Sequence, residues 1–276
     1  MDEINNSPTG LTDQELQLLE SVLADAHNEN VLPANSPTLL VDESSSRFSS
    51  AIWFEEIGNQ DVTLAGLGGI GSYVAYLLGR LKVNSLILYD DDSVDETNLS
   101  GQLYSNMDIG DSKTAATCRN LRVYSNFYNI FTRGRFNSTS SPTDIMICGF
   151  DNMAARKDFF NAWKTHVISK SPTYRKNCLY IDGRLSAEEF QVFCIKGTDI
   201  FLMDKYEKEW LFSDEEAEET ICSYKQTSFC ANMIASVMVN LFVNFVANKC
   251  NPIIERELPF CTCYDAERMY FKTEMV

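Results

Sequence analysis

Histidine and basic residues are the scarce components of this sequence. The 276 residues include two histidines, His27 and His166, which is little material for a histidine-rich zinc site or a Ser/His/Asp hydrolase. Lys and Arg number 23 against 39 Asp and Glu, a formal net charge of −16, and no basic run is longer than a pair. Nucleic acid and anionic membrane surfaces attract basic proteins, so this deficit argues against both as partners.

A recognisable signal peptide and a regular cysteine pattern are also missing. The nine cysteines are odd in number and scattered along the chain. We therefore expect reduced thiols and a cytoplasmic protein. A chain of this length with 45% hydrophobic residues can bury a sizeable core without disulfides or a structural metal.

The longest apolar stretch, residues 229–250, lacks the uninterrupted run of about 20 apolar residues that a membrane span requires. Polar side chains recur there at every fourth position, at Asn232, Ser236, Asn240, Asn244 and Asn248. This spacing places them on one face of a helix. We predict a central core helix whose polar face lies either at a subunit interface or in water.

Residues 1–45 and residues 46–276 differ in their sequence pattern. In the first region, Thr12 and Glu15 form a capping-box pattern that predicts an amphipathic helix over residues 13–26. A polar stretch follows, so we expect an N-terminal helical extension and a linker. In the second region, the acidic segment 214–219 is typical of a solvated loop or helix face.

The second region alternates between strand-like and helix-like patterns, which is typical of a parallel sheet with crossover helices. Its first half predicts strands at 62–65, 85–89, 129–135 and 145–149 and helices at 70–81, 112–124 and 152–166. Its second half is more typical of antiparallel pairing, with strand-like runs at 179–184, 189–196, 260–264 and 269–272. The predicted fold class is α/β.

A glycine-rich segment follows the first predicted strand and begins the first predicted helix. Its glycines are Gly66, Gly68, Gly69 and Gly71. Glycines at this point let backbone N–H groups and a helix N-terminus approach phosphates. Asp90 lies 19 residues after Gly71, at the end of the next strand, where a carboxylate can bind ribose hydroxyls. A dinucleotide-dependent dehydrogenase would show the same two features.

Three further motifs discriminate between these possibilities. In chain order they are Asp90-Asp-Asp92 with Asn98-Leu-Ser-Gly101-Gln102, then Ile109-Gly-Asp-Ser-Lys113, then Asp151-Asn-Met-Ala-Ala-Arg156. Together with the glycine segment they resemble the ThiF/MoeB/HesA family, the adenylating core shared with ubiquitin-activating enzymes. The family pattern is a glycine loop, D-x-D-x-V-x-x-x-N-L-x-R-Q, I-G-x-x-K and D-N-x-x-x-R. A nicotinamide oxidoreductase would need a hydride-transfer acid or base and a substrate domain, and the sequence shows neither.

The resemblance implies a Rossmann-like fold, with a largely parallel sheet flanked by helices and antiparallel strands added in the C-terminal half. It also implies ATP-dependent activation of a carboxylate at the C-terminus of a small ubiquitin-like or sulfur-carrier protein or peptide. The products would be an acyl-adenylate and pyrophosphate. Because dimers of this family share residues across their interface, we expect a homodimer or heterodimer.

The same resemblance implies roles for individual residues. Asp90 and Asp92 would bind the ribose, and Asn98 and Gln102 would orient the phosphates. Lys113 would neutralise charge on the triphosphate as it reacts.

Two residues of the last motif complete the implied site. Asp151 matches the family aspartate that binds Mg²⁺, a hard cation that needs oxygen ligands. Arg156 matches the closing arginine, which could hold either Asp151 or substrate.

Two positions depart from the family pattern. The arginine of N-L-x-R-Q is Gly101 here, and the second arginine of an entry motif R-Y-x-R-Q is Ser50. Loss of a charge-assisted contact to a reacting phosphate costs on the order of a hundredfold in rate. Three alternatives remain: Arg80 or Arg47 substitutes, a partner chain donates an arginine, or the protein is a catalytically degenerate nucleotide-binding subunit of an activating complex.

The cysteines suggest one further role. Cys222 precedes the long apolar helix in a segment that looks like the P-x-C-T-x-K/R string carrying the thioester cysteine of larger activating enzymes. Lys225 and a helix N-terminus nearby would favour the thiolate. The alternative is that Cys222 is a buried small apolar residue. Zinc in this family is held by two C-x-x-C pairs, which this sequence lacks, so we expect none.

Overall fold

The computed structural model of the chain describes residues 47–212 and 226–275. The predicted N-terminal helix, the acidic segment 214–219 and the candidate nucleophile Cys222 lie outside these ranges.

An eight-stranded sheet forms the centre of the fold, with strand order β3-β2-β1-β4-β5-β6-β7-β8. Neighbours from β3 through β5 pair in parallel, and β5 to β8 pair antiparallel. The strands are β1 Asp61–Ala65, β2 Ser85–Tyr89, β3 Ile130–Arg133, β4 Ile145–Cys148, β5 Leu179–Ser186, β6 Glu189–Lys196, β7 Cys261–Asp265 and β8 Tyr270–Glu274. The predicted α/β fold, with antiparallel strands added in the C-terminal half, is confirmed.

Six α-helices lie in the described ranges: α1 Phe54–Ile57, α2 Gly69–Leu81, α3 Lys113–Ser125, α4 Met153–Ser169, α5 Ile200–Glu209 and α6 Ser228–Lys249. Side chains of Ser112, Asn152, Asp199 and Thr227 cap the starts of α3 to α6 by accepting a backbone N–H bond three residues on. Such caps satisfy N–H groups that have no partner within the helix. Helix α5 is not among the predicted elements.

The two faces of the sheet carry two separate apolar clusters. In β4, Ile145 and Ile147 belong to one cluster while Met146 and Cys148 belong to the other, as the two-residue period of a strand requires. The first cluster includes residues of α2 and α6, and the second includes residues of α4 and α5. Each large apolar side chain that is fully buried stabilises the fold by about 1.5–3 kcal/mol.

Helix α6 packs against α2, β5 and β6, and eleven of its side chains are buried. Of the described helices it is the one whose length and composition would suffice to cross a membrane, and more than half of its apolar stretch is buried inside the fold. Asn232, Ser236 and Asn240 are exposed. Asn244 and Asn248 donate hydrogen bonds to the carbonyls of Glu257 and Arg256, so the polar face partly serves to hold the loop before β7.

The order of the strands in the sheet indicates where the candidate site lies. The chain continues outward from β1 through β2 to β3, then returns to the other side of β1 to form β4. Ligands of open α/β sheets bind at such a reversal, outside the carboxyl ends of the strands. The loops that follow β1, β2 and β4 meet at this edge, and they carry the predicted site residues.

Candidate functional site

Gly66 and Gly71 are required by a close crossing of the backbone. The N–H of Gly66 donates to the carbonyl of Tyr89, and the N–H of Gly149 donates to the carbonyl of Ala65, 2.9 and 2.8 Å apart. Gly66 has φ of +81°, and a Cβ added there would lie 2.6 Å from the carbonyl carbon of Gly149. A Cβ at Gly71 would lie 1.8 Å from the Gly66 oxygen. These two glycines therefore shape the loop rather than clear space for a ligand.

Gly68, in contrast, faces open space. It is the N-cap of α2 and provides no side-chain cap. Among the described residues, a Cβ added to it would meet only Gln102 Nε2, at 3.9 Å. A helix N-terminus with an uncapped first turn offers N–H groups and a positive dipole end to an anion.

Asp90 joins the glycine loop to the loop after β2. Its Oδ2 accepts the Leu67 N–H at 2.6 Å, and its Oδ1 accepts the Asp92 N–H at 2.9 Å. Burial raises the pKa of Asp90, against the opposing effects of these two bonds and of the Lys113 charge. Each oxygen keeps a second lone pair, so the carboxylate can still accept a hydroxyl. The predicted ribose contact is compatible with this position and stays a prediction.

Lys113 and Asp92 form an ion pair at the start of α3. Lys113 Nζ lies 2.8 Å from Asp92 Oδ2, and the Lys113 N–H donates to the Asp92 carbonyl at 2.9 Å. The Lys113 side chain is 9% exposed whereas that of Asp92 is 69% exposed. The ammonium group is therefore held on a buried stem, with a solvent-facing carboxylate as its protein partner.

Asn98 and Gln102 lie on a short 3-10 segment, Glu96–Ser100, and just after it. Asn98 Oδ1 accepts the Asp95 N–H at 3.0 Å, which closes a capping box. The N–H of Gln102 donates to the Asn98 carbonyl at 2.9 Å. Gln102 Oε1 is buried and has no hydrogen-bond partner among the described residues. A buried amide oxygen of this kind is a position at which a bound molecule would supply the missing donor.

Tyr104, to which the sequence analysis assigns no role, fixes this segment to the glycine loop. Its hydroxyl donates to the Leu67 carbonyl at 2.7 Å and lies 3.2 Å from Thr117 Oγ1. Burial raises the pKa of Tyr104 well above its usual value, so the phenol stays protonated and donates. The contact links the loop after β1, helix α3 and the segment after β2.

Asp151 is exposed on the loop after β4, two residues beyond Gly149. Its described contact is a 3.3 Å hydrogen bond from Asn152 Nδ2. Within residues 47–212 and 226–275, no three His, Cys, Asp or Glu side chains group as a metal site. A Mg²⁺ ion at Asp151 would therefore take its other ligands from phosphates and water, which is usual for this ion.

Arg156, which is predicted to hold either Asp151 or substrate, is bonded to other groups of the chain in the structure. Its side chain is buried and does not reach Asp151. One guanidinium nitrogen donates to Asp182 Oδ1 and to the Gly183 carbonyl, and the other donates to the Phe150 carbonyl. Arg156 thus joins the loop after β4 to the middle of β5, and its described contacts do not include Asp151. A contact with substrate stays a prediction.

Arg80 lies too far from the glycine loop to substitute for the missing arginines. It is in the last turn of α2, where Arg80 Nε donates to the Tyr76 hydroxyl at 3.2 Å. Eleven residues of helix separate it from Gly69, a distance of about 16 Å along the helix axis. Arg47 and Ser50 are both exposed before α1.

Gln226 is a second residue that the sequence analysis did not identify. An added Cβ at Gly69 would lie 2.1 Å from Gln226 Oε1, and an added Cβ at Gly101 would lie 3.0 Å from Gln226 Nε2. The carboxamide of Gln226 therefore lies between the first turn of α2 and the position at which the family pattern has an arginine.

Burial makes several of the described cysteines poor nucleophiles. Burial raises the pKa of Cys194 to about 12, and burial together with the Asp144 carboxylate raises the pKa of Cys178 to about 12. A raised pKa disfavours the thiolate that a nucleophile requires. The predicted role of Cys222 falls outside the described residues.

Taken together, the edge fits a nucleotide. It offers an uncapped helix N-terminus at Gly68, the ammonium group of Lys113, the buried oxygen of Gln102 and the solvent-facing carboxylate of Asp151. The first two suit phosphates, and the carboxylate suits a divalent cation on those phosphates.

Proteins of known sequence resemble part of this chain. Ubiquitin-like modifier-activating enzyme 5 of Drosophila persimilis is 30% identical over 121 residues, which is 37% of this chain and 32% of that protein. The enzyme of the same name from Dictyostelium discoideum is 32% identical over 121 residues, with the same coverage. The chain thus spans about a third of the length of the relatives it matches.

Solved structures resemble nearly the whole chain. E. coli MccB, in a structure with ATP, has a TM-score of 0.61 at 16% identity and covers 96% of this chain, which covers 79% of MccB. PaaA has a TM-score of 0.60 at 14% identity, with coverages of 98% and 84%. These likenesses show a shared fold. The sequence profile of the ThiF family matches residues 46–273, and the chain therefore belongs to the ThiF family.

Proposed function

We propose that this protein is an E1-like adenylyltransferase, which uses ATP to activate the C-terminal carboxylate of a small ubiquitin-like or sulfur-carrier protein or peptide. The observation that carries the proposal is the open N-terminus of α2 at Gly68, joined through Leu67 and Asp90 to the Lys113 ammonium group. Family membership supports the same reaction class.

The names of its relatives support the substrate class. One relative activates a ubiquitin-like modifier by name, and MccB has been solved together with MccA. A carboxylate at the end of a flexible chain is the chemistry that an adenylating site of this kind would accept.

In the proposed reaction, a carboxylate oxygen of the substrate forms a bond to the α-phosphorus of ATP. The bond from that phosphorus to the oxygen bridging the β-phosphate breaks, and pyrophosphate leaves with the electron pair. Lys113 and the N–H groups at Gly68 would stabilise the negative charge that builds on the phosphates. Asp90 holds the glycine loop against the loop after β2 by accepting the Leu67 N–H. Gln102 is held next to this loop by the hydrogen bond from its N–H to the Asn98 carbonyl.

Asp151 would hold Mg²⁺, which when bound supplies charge neutralisation on the phosphates. The single described contact of Asp151, from a neighbouring asparagine, leaves lone pairs of its carboxylate for this purpose. Mg²⁺ itself, a dimeric state and a cytoplasmic location are parts of the proposal that rest on the sequence.

A second candidate function is a catalytically degenerate subunit that binds nucleotide within an activating complex. Gly101 and Ser50 favour it, because both replace arginines of the family pattern. The two candidates differ in one measurable property, since only the first exchanges pyrophosphate into ATP.

The deciding experiment is ATP/pyrophosphate exchange with candidate carrier proteins or peptides, for the wild type, Lys113→Ala and Asp151→Ala. The exposed Asp158 on α4 provides a matched control as Asp158→Ala. We expect exchange in the wild type and the control and at least a hundredfold loss in the two site variants. Equal exchange in all four proteins would contradict the assignment. ATP binding without exchange, with partner chains added, would favour the degenerate subunit.

A further inference from the structure

Gln226 is the residue on which the geometry of two site glycines depends. Its backbone is fixed from two sides, by a bridge to Ala187 at the turn between β5 and β6 and by Thr227, the N-cap of α6. The side chain then extends onto the glycine loop, where its carboxamide packs between Gly69 and Gly101. Any side chain at either position would meet it.

The two ends of this carboxamide differ in their distances from the two glycines. The atom nearest to an added Cβ at Gly69 is Oε1, at 2.1 Å, and the atom nearest to an added Cβ at Gly101 is Nε2, at 3.0 Å. The amide nitrogen is consequently the group presented beside residue 101, next to Gln102.

Gly101 is buried and has φ of −133°, which a residue with a side chain can adopt. The backbone therefore does not require glycine there. The described neighbours that an added Cβ would meet are the Nε2, Cγ and Cδ atoms of Gln226, at 3.0 to 3.4 Å. The lack of a side chain at 101 and the presence of Gln226 are thus two parts of one arrangement.

We propose that Gln226 is a nucleotide-binding residue whose Nε2 donates a hydrogen bond to a phosphate oxygen of ATP, in the place that a side chain at residue 101 would otherwise occupy. This inference rests on the proposed function. The Gln226 amide is a neutral donor, so Lys113 and the cation at Asp151 would supply the positive charge.

The test is calorimetric titration of ATP with MgCl₂ into the wild type, Gln226→Ala, Gln226→Glu and the control Asn240→Ala. Asn240 is an exposed amide on α6, the helix that begins just after Gln226. We expect Gln226→Ala to weaken ATP binding about tenfold to a hundredfold, as loss of a hydrogen bond to a charged group does. Gln226→Glu should weaken it further because a carboxylate would face the phosphates. The control should bind as the wild type does.

A second comparison tests the pairing with residue 101. In the wild-type background, Gly101→Ala should displace the carboxamide and weaken ATP binding. In the Gln226→Ala background the same substitution should cause no further loss, because the neighbour is gone. Losses that add in the double variant would overturn the pairing. Melting temperatures without nucleotide identify any variant that is simply unfolded.

These experiments distinguish a failure of the Gln226 proposal from a failure of the proposed function. Wild-type protein that binds ATP while Gln226→Ala binds it equally well or more tightly would overturn the role of Gln226 and leave the proposed function intact. Wild-type protein that binds no ATP would overturn both.

Discussion

Two clusters of cationic and acidic side chains lie near the carboxyl ends of the parallel strands, and they differ in exposure. In the first, Lys113 pairs with Asp92, whose side chain is 69% exposed. In the second, Arg156 and Arg184 both pair with Asp182, whose side chain is fully buried. Tyr206 donates a further hydrogen bond to Asp182 at 2.7 Å.

The difference shows how similar chemistry can serve binding in one place and rigidity in another. A solvent-facing carboxylate holds its cation weakly, because water screens the pair, and a ligand can replace it. A buried carboxylate with three donors has no such freedom, because any unpaired member would remain buried and charged. We therefore propose that the Lys113 cluster binds ligand and that the Asp182 cluster supports the structure.

The most disruptive test of this comparison is Asp182→Ala. It leaves two buried guanidinium groups without their carboxylate, which we expect to cost about 3–5 kcal/mol of unfolding free energy. Urea denaturation of the wild type and the variant measures the difference. A loss below about 1 kcal/mol would show that the cluster is not structural.

Lys113→Met should do the opposite, leaving stability nearly unchanged while lowering the rate of pyrophosphate exchange. Methionine retains an apolar stem of similar length, so the unfolding free energy should change by less than about 1 kcal/mol. Pyrophosphate exchange should fall about a hundredfold because the positive charge is lost. If stability and exchange fall together, the proposed division between the two clusters is wrong.

Asp144, before β4, has a side chain whose exposure is intermediate between those of Asp182 and Asp92. Burial alone would raise its pKa, but hydrogen bonds from His166 and Tyr174, at 2.8 and 2.7 Å, lower it below the usual value. A lowered folded-state pKa contributes stability above the unfolded-state value of about 3.9, and that contribution is lost as the pH falls through the folded-state pKa. Asp144→Ala should therefore cost about 1 kcal/mol at pH 7 and progressively less below pH 4, measured by urea unfolding at each pH. A difference independent of pH would contradict this account.

Arg135→Ala should have the smallest effect. Arg135 lies 3.4 Å from Asp91 at the rim of the site, and both side chains are more than half exposed. Exposed pairs of this kind contribute little, so melting temperature and pyrophosphate exchange should match the wild type. A clear loss of exchange would extend the binding cluster to this rim.

The sequence predicts most of the sheet because three of its parallel strands, β1, β2 and β4, are buried on both faces. Strands β1, β2 and β4 appear in the sequence as short apolar runs. The glycine segment between β1 and α2 indicates the edge of the sheet at which we propose that nucleotide binds. Helix α5 was missed because its buried residues, Leu202, Met203 and Tyr206, alternate with charged ones in a short segment.

The site was predicted in its local parts and missed where distant segments meet. Lys113 and Asp92 follow from motif spacing. The partner of Arg156 could not be predicted in this way. Asp182 belongs to the next strand, and only the pairing of β4 with β5 places it beside Cys148. Gln226 likewise reaches the glycine loop from the start of α6, and no local pattern indicates such a contact.

The Asp182 cluster has an electrostatic consequence for the whole edge. Two guanidinium groups share one carboxylate, so the cluster keeps an uncompensated positive charge in a region of low polarisability. Arg156 brings part of this charge close to Asp151, because it donates a hydrogen bond to the carbonyl of Phe150, the preceding residue. In a protein with a net charge of −16, this positive charge lies beneath the loop that carries Asp151, where it would favour a bound polyanion.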